Sequence, residues 1–530
     1  MKQRKYFDIM AWVGRRGNPM QFPIKTEELL ADMKYARIHG AAIASNVAID
    51  YSYFQGNGQI QEIIAKEDRL VGIGVVPTTA LFEVKDPLYF EKLFDSGIRA
   101  LLVDPVALLS NLDPEDMREI AEALIGRGFP LIIPNVIPVD RYNQIRTLAK
   151  AYPELNIIVA GSHWECNRYL FKVMEQCPNV YMEYSGNQAN HLLEHIRDLF
   201  GIERVLYCGG WPRRDIGALK SQIEYAKLTE EEKDMVAFGN ACRLLKLSID
   251  DFALYDEADC AFDEIAKEVD AGLPVSVPVI DAHTHLVHED HRAVSNLMML
   301  DSDGDSMIEM MDRMGVDTMI TSVWDGLSTG GIEGNETGLR MAKKYPGRIL
   351  VYNTCNIHYE EDQKGWKKYF DETPEIFVGE KPYWPYQQFA LTDSKCDEWF
   401  AYANEHRLPL LIHTGAGNAT KEVGELSKKY PDITFLLAHS GCSYAVAEEN
   451  ANLVLERDNV VLEITYTSVT RGMIRYMVDK VGADKVLFGT DTPMRDAAAQ
   501  LGWVAYADIS VEDKKKILAG NIKRILERIR

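Results

Sequence analysis

The sequence is short of positive charge, of ordered cysteines and of long apolar runs. Lys and Arg number 58 against 80 Asp and Glu, a net charge of −22. That balance argues against nucleic-acid binding, which needs clustered Lys and Arg, and against an anionic membrane surface. No stretch approaches the ~20 apolar residues that span a bilayer. The opening MKQRKYFDIMAWVGRRG has basic residues before an apolar run, as a signal peptide does. Asp8 interrupts that run and Arg15-Arg16 end it, so a strand is expected. The 8 Cys include no C-x-x-C pair, which predicts reduced thiols in a cytoplasmic protein. What remains is ordinary globular composition, 46% hydrophobic and 26% charged. At 530 residues, two large domains are the default.

The second half contains PVIDAHTHL, VDTMITSVW, RILVYNTC, EIFVGEKPY, LPLLIHTG, ITFLLAHSG, NVVLEIT and KVLFGTDTP in order. Each is a short Val/Ile/Leu-rich run, as expected of strands buried on both faces of a parallel sheet. Helical periodicity separates most of them, as in NATKEVGELSKKYP. Eight such units over about 250 residues predict a (β/α)8 barrel. The first half repeats the pattern. PLIIPNVI from Pro130 matches PLLIHTGA from Pro409, and GIERVLYCGGWPRRD matches GADKVLFGTDTPMRD. GNACRLL at Gly239 matches GNIKRIL at Gly520. Shared glycines, prolines and R-D and G-N pairs at near-constant offset predict two tandem TIM-type barrels in an α/β fold. The expected domains are 1–250 and 276–530, joined by an acidic linker, 251–275, containing a short helix.

His283 and His285 stand two apart on a strand and so share a face, near the end where barrel active sites form. Paired neutral imidazoles suit Zn2+ or a similar ion. An H-x-H alone is weak, but His413, His439 and Asp491 each end a later strand at the same rim. Singly, each could be a core histidine, a loop residue or a turn cap; five metal-suited side chains reaching one rim by accident is improbable.

With DAHTHL, LLIHTG, LLAHSG and FGTDTP in place, residues 276–530 resemble the amidohydrolase superfamily in its amidohydrolase-related (type 2) branch. The resemblance implies a divalent metal, Zn2+ first and Mn2+ as the alternative, held by His283, His285, His413 and Asp491. It makes Asp491 and His439 the catalytic pair, with His439 either a second-metal ligand or a hydrogen-bond partner of water and substrate. Lys381, in GEKPYWPY, matches the carboxylated lysine of binuclear members. Glu380 could instead be the ligand, and only one of these two neighbours points inward. One metal is favoured, with Lys381 or Glu380 facing the substrate. The leading expectation is a metal-dependent hydrolase of a small molecule such as a lactone, cyclic amide or ester. The rival is a metal-dependent non-oxidative decarboxylase on the same scaffold; a non-catalytic binding or regulatory protein is the third reading.

Trp324, Tyr383, Trp384 and Tyr386 could wall a pocket for a planar substrate, although ordinary packing explains any one of them. Arg495 could hold a carboxylate, but Arg214 matches it and Asp496 and Asp215 follow, which favours a structural role. His288 and His291 read as solvated loop residues, and Cys442 lacks support as a nucleophile. The runs EEEK and KKK read as exposed helix faces.

In the first half, Met10, Trp12, Pro134, Gly161 and Gly210 fall where His283, His285, His413, His439 and Asp491 stand, and Asp104 falls on Lys381. His163 lies near the missing strand-six position without partners. None of the five replacements suits a hard or borderline metal. The first barrel is therefore expected to bind no catalytic metal. It would serve as a built-in partner, the two barrels forming an intramolecular pseudo-dimer, or as a ligand-binding regulator; a homo-oligomer also remains open.

Overall fold

The protein is described here as a computed structural model, covering residues 3–16, 24–134, 139–256, 260, 262–287, 297–465 and 471–530. It comprises two units, Met1–Phe262 and Asp263–Arg530. Each holds one eight-stranded parallel sheet in sequential order. In the first unit the strands are β1 (Phe7–Val13), β2 (Gly40–Ser45), β3 (Leu70–Val75), β4 (Ile98–Leu102), β5 (Leu131–Pro134), β6 (Ile157–Ala160), β7 (Val180–Glu183) and β8 (Val205–Leu206). In the second they are β9 (Ile280–Leu286), β10 (Thr318–Val323), β11 (Ile349–Asn353), β12 (Phe377–Glu380), β13 (Pro409–His413), β14 (Thr434–Ala438), β15 (Val460–Glu463) and β16 (Val486–Leu487). Every expected strand of the second half is present, helices lie between them, and the two tandem (β/α)8 barrels are as the repeat predicts.

Closure comes from the first strand meeting the last. Ile9 N–H donates to the Tyr207 carbonyl at 3.2 Å, and Ala282 N–H donates to the Phe488 carbonyl at 3.1 Å. The first core follows the two-residue period of buried strands: Ala42 and Ala44, Ile73 and Val75, Ala100 and Leu102, and Ile158 and Ala160 pack in one cluster. In the second, Leu411, Leu436 and Leu487 pack with Ile522 and Ile525 of the C-terminal helix.

The G-N motif has a structural cause. Asn240 Nδ2 donates to the carbonyls of Ile202 and Val205, and Asn521 Nδ2 donates to those of Ala483 and Val486. In each copy one side-chain amide thus satisfies both ends of the tight turn that feeds the last strand. The preceding five residues, Met235–Gly239 and Lys516–Gly520, form a π-turn in both copies.

The boundary falls inside the 251–275 stretch. Phe252 packs edge-on against Phe7 and Phe238 of the first barrel. The short helix Glu264–Asp270 belongs to the second unit, where Lys514 Nζ reaches Asp263 at 2.5 Å and Tyr506 Oη reaches Asp270 at 2.7 Å. Among the described residues, no helix is long and apolar enough to cross a membrane.

Candidate metal centre

On β9 the sequence IDAHTHL carries Asp281, His283 and His285 at alternate positions. The pairing of β9 with β10 shifts register between Met319 and Thr321, and β1 shifts against β2 at the corresponding place. Such bulges re-aim side chains at the rims of barrels. Here His283 Nε2 lies 3.6 Å and His285 Nε2 3.0 Å from Asp491 Oδ1. Asp491 is held there by its own backbone, whose N–H donates to the His283 carbonyl at 2.8 Å.

The ring nitrogens on the far side have partners that suit a metal-binding tautomer. His283 Nδ1 lies 2.9 Å from Glu463 Oε2, and His285 Nδ1 lies 3.1 Å from the Ser322 carbonyl. The Ser322 carbonyl can accept from Nδ1–H of His285, with Ser322 Oγ also 3.0 Å from that nitrogen, and a Glu463 oxygen can accept from Nδ1–H of His283. In that tautomer both Nε2 lone pairs point towards the Asp491 carboxylate. Two imidazole acceptors and a carboxylate oxygen converging within 4.8 Å make a donor set suited to a divalent cation.

Electrostatics agree with that donor set. Burial pushes His283 and His439 well below the ordinary imidazole value, with the charge of Lys381 adding to it, and brings His413 down to about 4. All three are neutral at pH 7, as ligands must be. Burial alone would raise Asp491, but the nearby His285 ring and the charge of Arg495 hold it below the usual carboxylate range.

His413 and His439 are brought to the same mouth. Their ring centroids are 4.4 Å apart, and that of His439 is 5.1 Å from His283's. Neither belongs to the tight three-donor group. His439 and Asp491 both adopt the left-handed region, with φ of 63° and 61°. In the first barrel the matching Gly161 and Gly210 have φ of 68° and 71°. The backbone turn is the same in both copies. The second copy carries side chains there at a cost of roughly 1–2 kcal/mol each, and the first has glycine, which has no such cost.

The Lys381 and Glu380 alternatives separate cleanly. Lys381 Nζ sits 3.3 Å from His283 Nε2, and burial lowers its pKa to about 8. Glu380 is fully buried, neither of its carboxyl oxygens has a hydrogen-bond partner, and burial raises its pKa well above the ordinary value. Its titratable neighbours are Cys355, Cys396 and Tyr402 rather than the histidines. Folded Glu380 therefore keeps its proton at pH values where the unfolded chain has lost it, so stability falls as pH rises through that window. Glu380→Gln is expected to raise Tm relative to wild type at pH 8, with no gain at pH 4, in thermal denaturation at the two pH values.

Glu463 escaped the sequence reading, although its signal was there: NVVLEIT and NVYMEY share it with Glu183. Burial pushes its carboxyl up to about 8, against the pull of the Thr465 hydrogen bonds and Lys381. Asp281 was also missed. It accepts from His283 N–H, Thr490 N–H and Thr490 Oγ1, and bolts β9 to the segment that follows β16. Glu463→Gln keeps the volume but no longer enforces the His283 tautomer. It is expected to weaken metal affinity about 10- to 100-fold, read by competition with a chromophoric chelator.

Trp324, Tyr383 and Tyr386 form one aromatic wall. Tyr383 stacks on Tyr386 at 5.7 Å, Trp324 meets Tyr386 at 5.7 Å, and the wall reaches His285 through Trp324 and His413 through Tyr383. Trp384 Nε1 donates to the His413 carbonyl at 3.0 Å. Arg495 is buried, and its charge acts on both His439 and Asp491. Burial raises the Cys442 thiol, which leaves it a poor nucleophile. His288 and His291 lie outside the described residues.

A family model described as amidohydrolase matches residues 22–247 and 375–528. The chain belongs to the amidohydrolase family. It is a metal-dependent enzyme of that family, and both halves carry the match, as a duplication requires. In the second half the match spans Lys381, His413, His439, Glu463 and Asp491 and begins after β9. No protein of curated function matches this amidohydrolase by sequence. Among solved structures, it is similar to a dihydroxybenzoic acid decarboxylase from Polaromonas sp. with bound manganese and 2-nitroresorcinol. That likeness has 17% identity and a TM-score of 0.37, covering 47% of this chain and 97% of that one. It is also similar to a 5-carboxyvanillate decarboxylase from Novosphingobium aromaticivorans, at 14% identity and a TM-score of 0.39 over 48% and 96% of the two chains. An uncharacterized TIM-barrel protein from Bordetella bronchiseptica shows 16% identity and a TM-score of 0.38 over 48% and 99%.

Proposed function

We propose that the second barrel is a metal-dependent decarboxylase of a small planar carboxylic acid. The observation that carries this reading is the charge and shape of the mouth. Lys381 stands within 3.3 Å of the three-donor cluster, and the charge of Arg495 bears on Asp491. Glu463 is held near neutrality by burial, which leaves Asp491 to oppose these cations and the metal. That surplus of positive charge suits an acid better than a neutral ester. The wall of Trp324, Tyr383 and Tyr386 offers a flat apolar face to a ring.

His283, His285 and Asp491 would hold the ion, with His413 beside them. Bound there, a divalent metal supplies a fixed charge that stabilises negative charge on substrate oxygens. Zn2+ and Mn2+ both accept imidazole and carboxylate donors, and the reading commits to a divalent ion. The remaining work falls to this chain's side chains. The aromatic wall orients the ring, and Lys381 attracts the acid. The bond between ring carbon and carboxyl carbon breaks, its electron pair stays on the ring carbon and CO2 leaves. A proton from solvent fills the ring carbon, with Asp491, ionised at rest, as the group that relays it.

Hydrolysis of a lactone or cyclic amide is the second reading. It is favoured by the ionised resting state of Asp491, which suits accepting a proton from water. A panel of hydroxylated aromatic acids and of lactones, followed for CO2 release alongside acid production, separates the two. CO2 release from an aromatic acid is expected, and acid production from lactones without any CO2 would overturn decarboxylation. Lys381→Met should lower kcat/KM for the acid by about 10- to 100-fold, the worth of a charge-assisted contact.

A further inference from the structure

Single exposed apolar side chains are ordinary on a protein surface, but a run of them on adjoining loops is not. Such a run lies at the mouth of the first barrel. The connections that leave the C-terminal ends of β2, β3 and β4 expose Tyr51, Phe54, Phe82, Leu88, Val106 and Leu109. Tyr51 and Phe82 are 81% exposed, Leu109 is 93% exposed, and each of the others is more than half exposed. The three connections are tied to one another. Phe54 stacks on Tyr89 with ring centroids 6.4 Å apart, and Tyr53 Oη donates to Glu83 Oε2 at 3.0 Å, which joins the first to the second. Thr78 N–H donates to Ser110 Oγ at 3.2 Å, which joins the second to the third. Tyr53, Glu83, Tyr89 and Ser110 each adjoin one of the six in sequence, so the six form one patch.

Leu109 is held outward by its backbone. Its φ of 48° lies in the left-handed region, which glycine or asparagine adopts more readily, while Leu108 beside it packs on the core. The second barrel differs. Between β10 and β13 it exposes only two large hydrophobic side chains, Tyr359 and Tyr386, and each has a hydroxyl for water. A barrel that carries the metal donors must leave its mouth open to substrate. The first barrel has lost those donors, and its rim is free to be covered.

The size of the patch indicates what covers it. At ~200 Å² for a whole aromatic side chain, Tyr51, Phe54 and Phe82 together expose on the order of 450 Å². The three aliphatic residues bring the total near the ~800 Å² that one partner gives to a standard interface. Asp50, Glu83 and Lys85 are exposed beside the patch, so both signs of charge are present and the surface can pair with itself. The net charge of −22 disfavours an anionic lipid surface as the alternative. We propose that this face of the first barrel is the interface of a symmetric homodimer, in which a second copy of the chain covers the patch with its own. The assignment is independent of the reaction performed by the second barrel.

The test is sedimentation equilibrium of the full-length protein over ~0.1–100 µM. A mass of twice the 60.0 kDa of one chain is expected in the upper part of that range. Phe82→Asp combined with Leu109→Asn removes apolar area from two exposed positions, and a two-fold interface counts each change twice. The dimer dissociation constant should rise at least ~100-fold, with the midpoint of thermal unfolding in dilute solution unchanged. Leu455→Asn, at an exposed position of the second barrel, should leave the constant as it is. A chain that stays monomeric throughout would overturn the proposal, as would a dimer indifferent to Phe82→Asp/Leu109→Asn or weakened equally by Leu455→Asn. A monomer that co-sediments with phosphatidylcholine vesicles would overturn it in favour of a lipid surface.

Discussion

His283→Ala is expected to abolish metal binding and to lower turnover by at least about a thousandfold, to the level of the metal-free protein. The size of the effect follows from where the ring sits. Its side chain is fully buried, its Nδ1 is committed to Glu463, and its Nε2 is 3.6 Å from Asp491 and 3.3 Å from Lys381. Removing the ring deletes one of three converging donors and strands the Glu463 carboxyl beneath an empty space. Lys381 also loses the neighbour that its Nζ touches. Elemental analysis of the purified variant, together with kcat on the substrate that the panel identifies, reads both consequences. Folding is monitored by circular dichroism, since a buried His→Ala change also leaves a cavity.

Asp491→Asn should have a different signature. The amide preserves the volume and the left-handed turn, but it loses the charge that draws the ion and the carboxyl that carries the proton. Removing a general acid–base group costs about 10²- to 10⁴-fold in kcat. Metal affinity should fall less than in His283→Ala, because both imidazoles remain, with Glu463 and Ser322 still at their Nδ1 atoms. Raising the metal concentration should therefore restore occupancy without restoring kcat. A variant whose activity returns with metal would reduce Asp491 to a ligand.

Much of this was legible in the sequence, and the reasons differ by residue. The strands were readable because each parallel strand is buried on both faces and is written as an unbroken Val/Ile/Leu run. The duplication was readable because the G-N pair does a job that tolerates no substitute: one amide satisfies two carbonyls in each copy. His283, His285, His413, His439 and Asp491 stood out because imidazoles and a carboxylate ending apolar strands have no packing explanation. Glu463 stayed hidden because a lone glutamate at a strand end looks like any solvated residue; its role depends on a partner 180 residues away. Lys381 and Glu380 could not be separated from sequence, since adjacent residues point to opposite faces and the phase is set by the strand's register. Gly161 and Gly210 read as lost ligands. The structure adds that they keep the turn those ligands require, so the first barrel has lost its donors while keeping their backbone.

The central claim is that one half of a duplicated chain holds the metal, and metal analysis with anomalous scattering from a crystal of the holoenzyme tests it most directly. The account predicts one divalent ion per chain, with its anomalous peak among His283, His285 and Asp491. A second equivalent of metal at the mouth of the first barrel, near Met10 and Gly210, would contradict it.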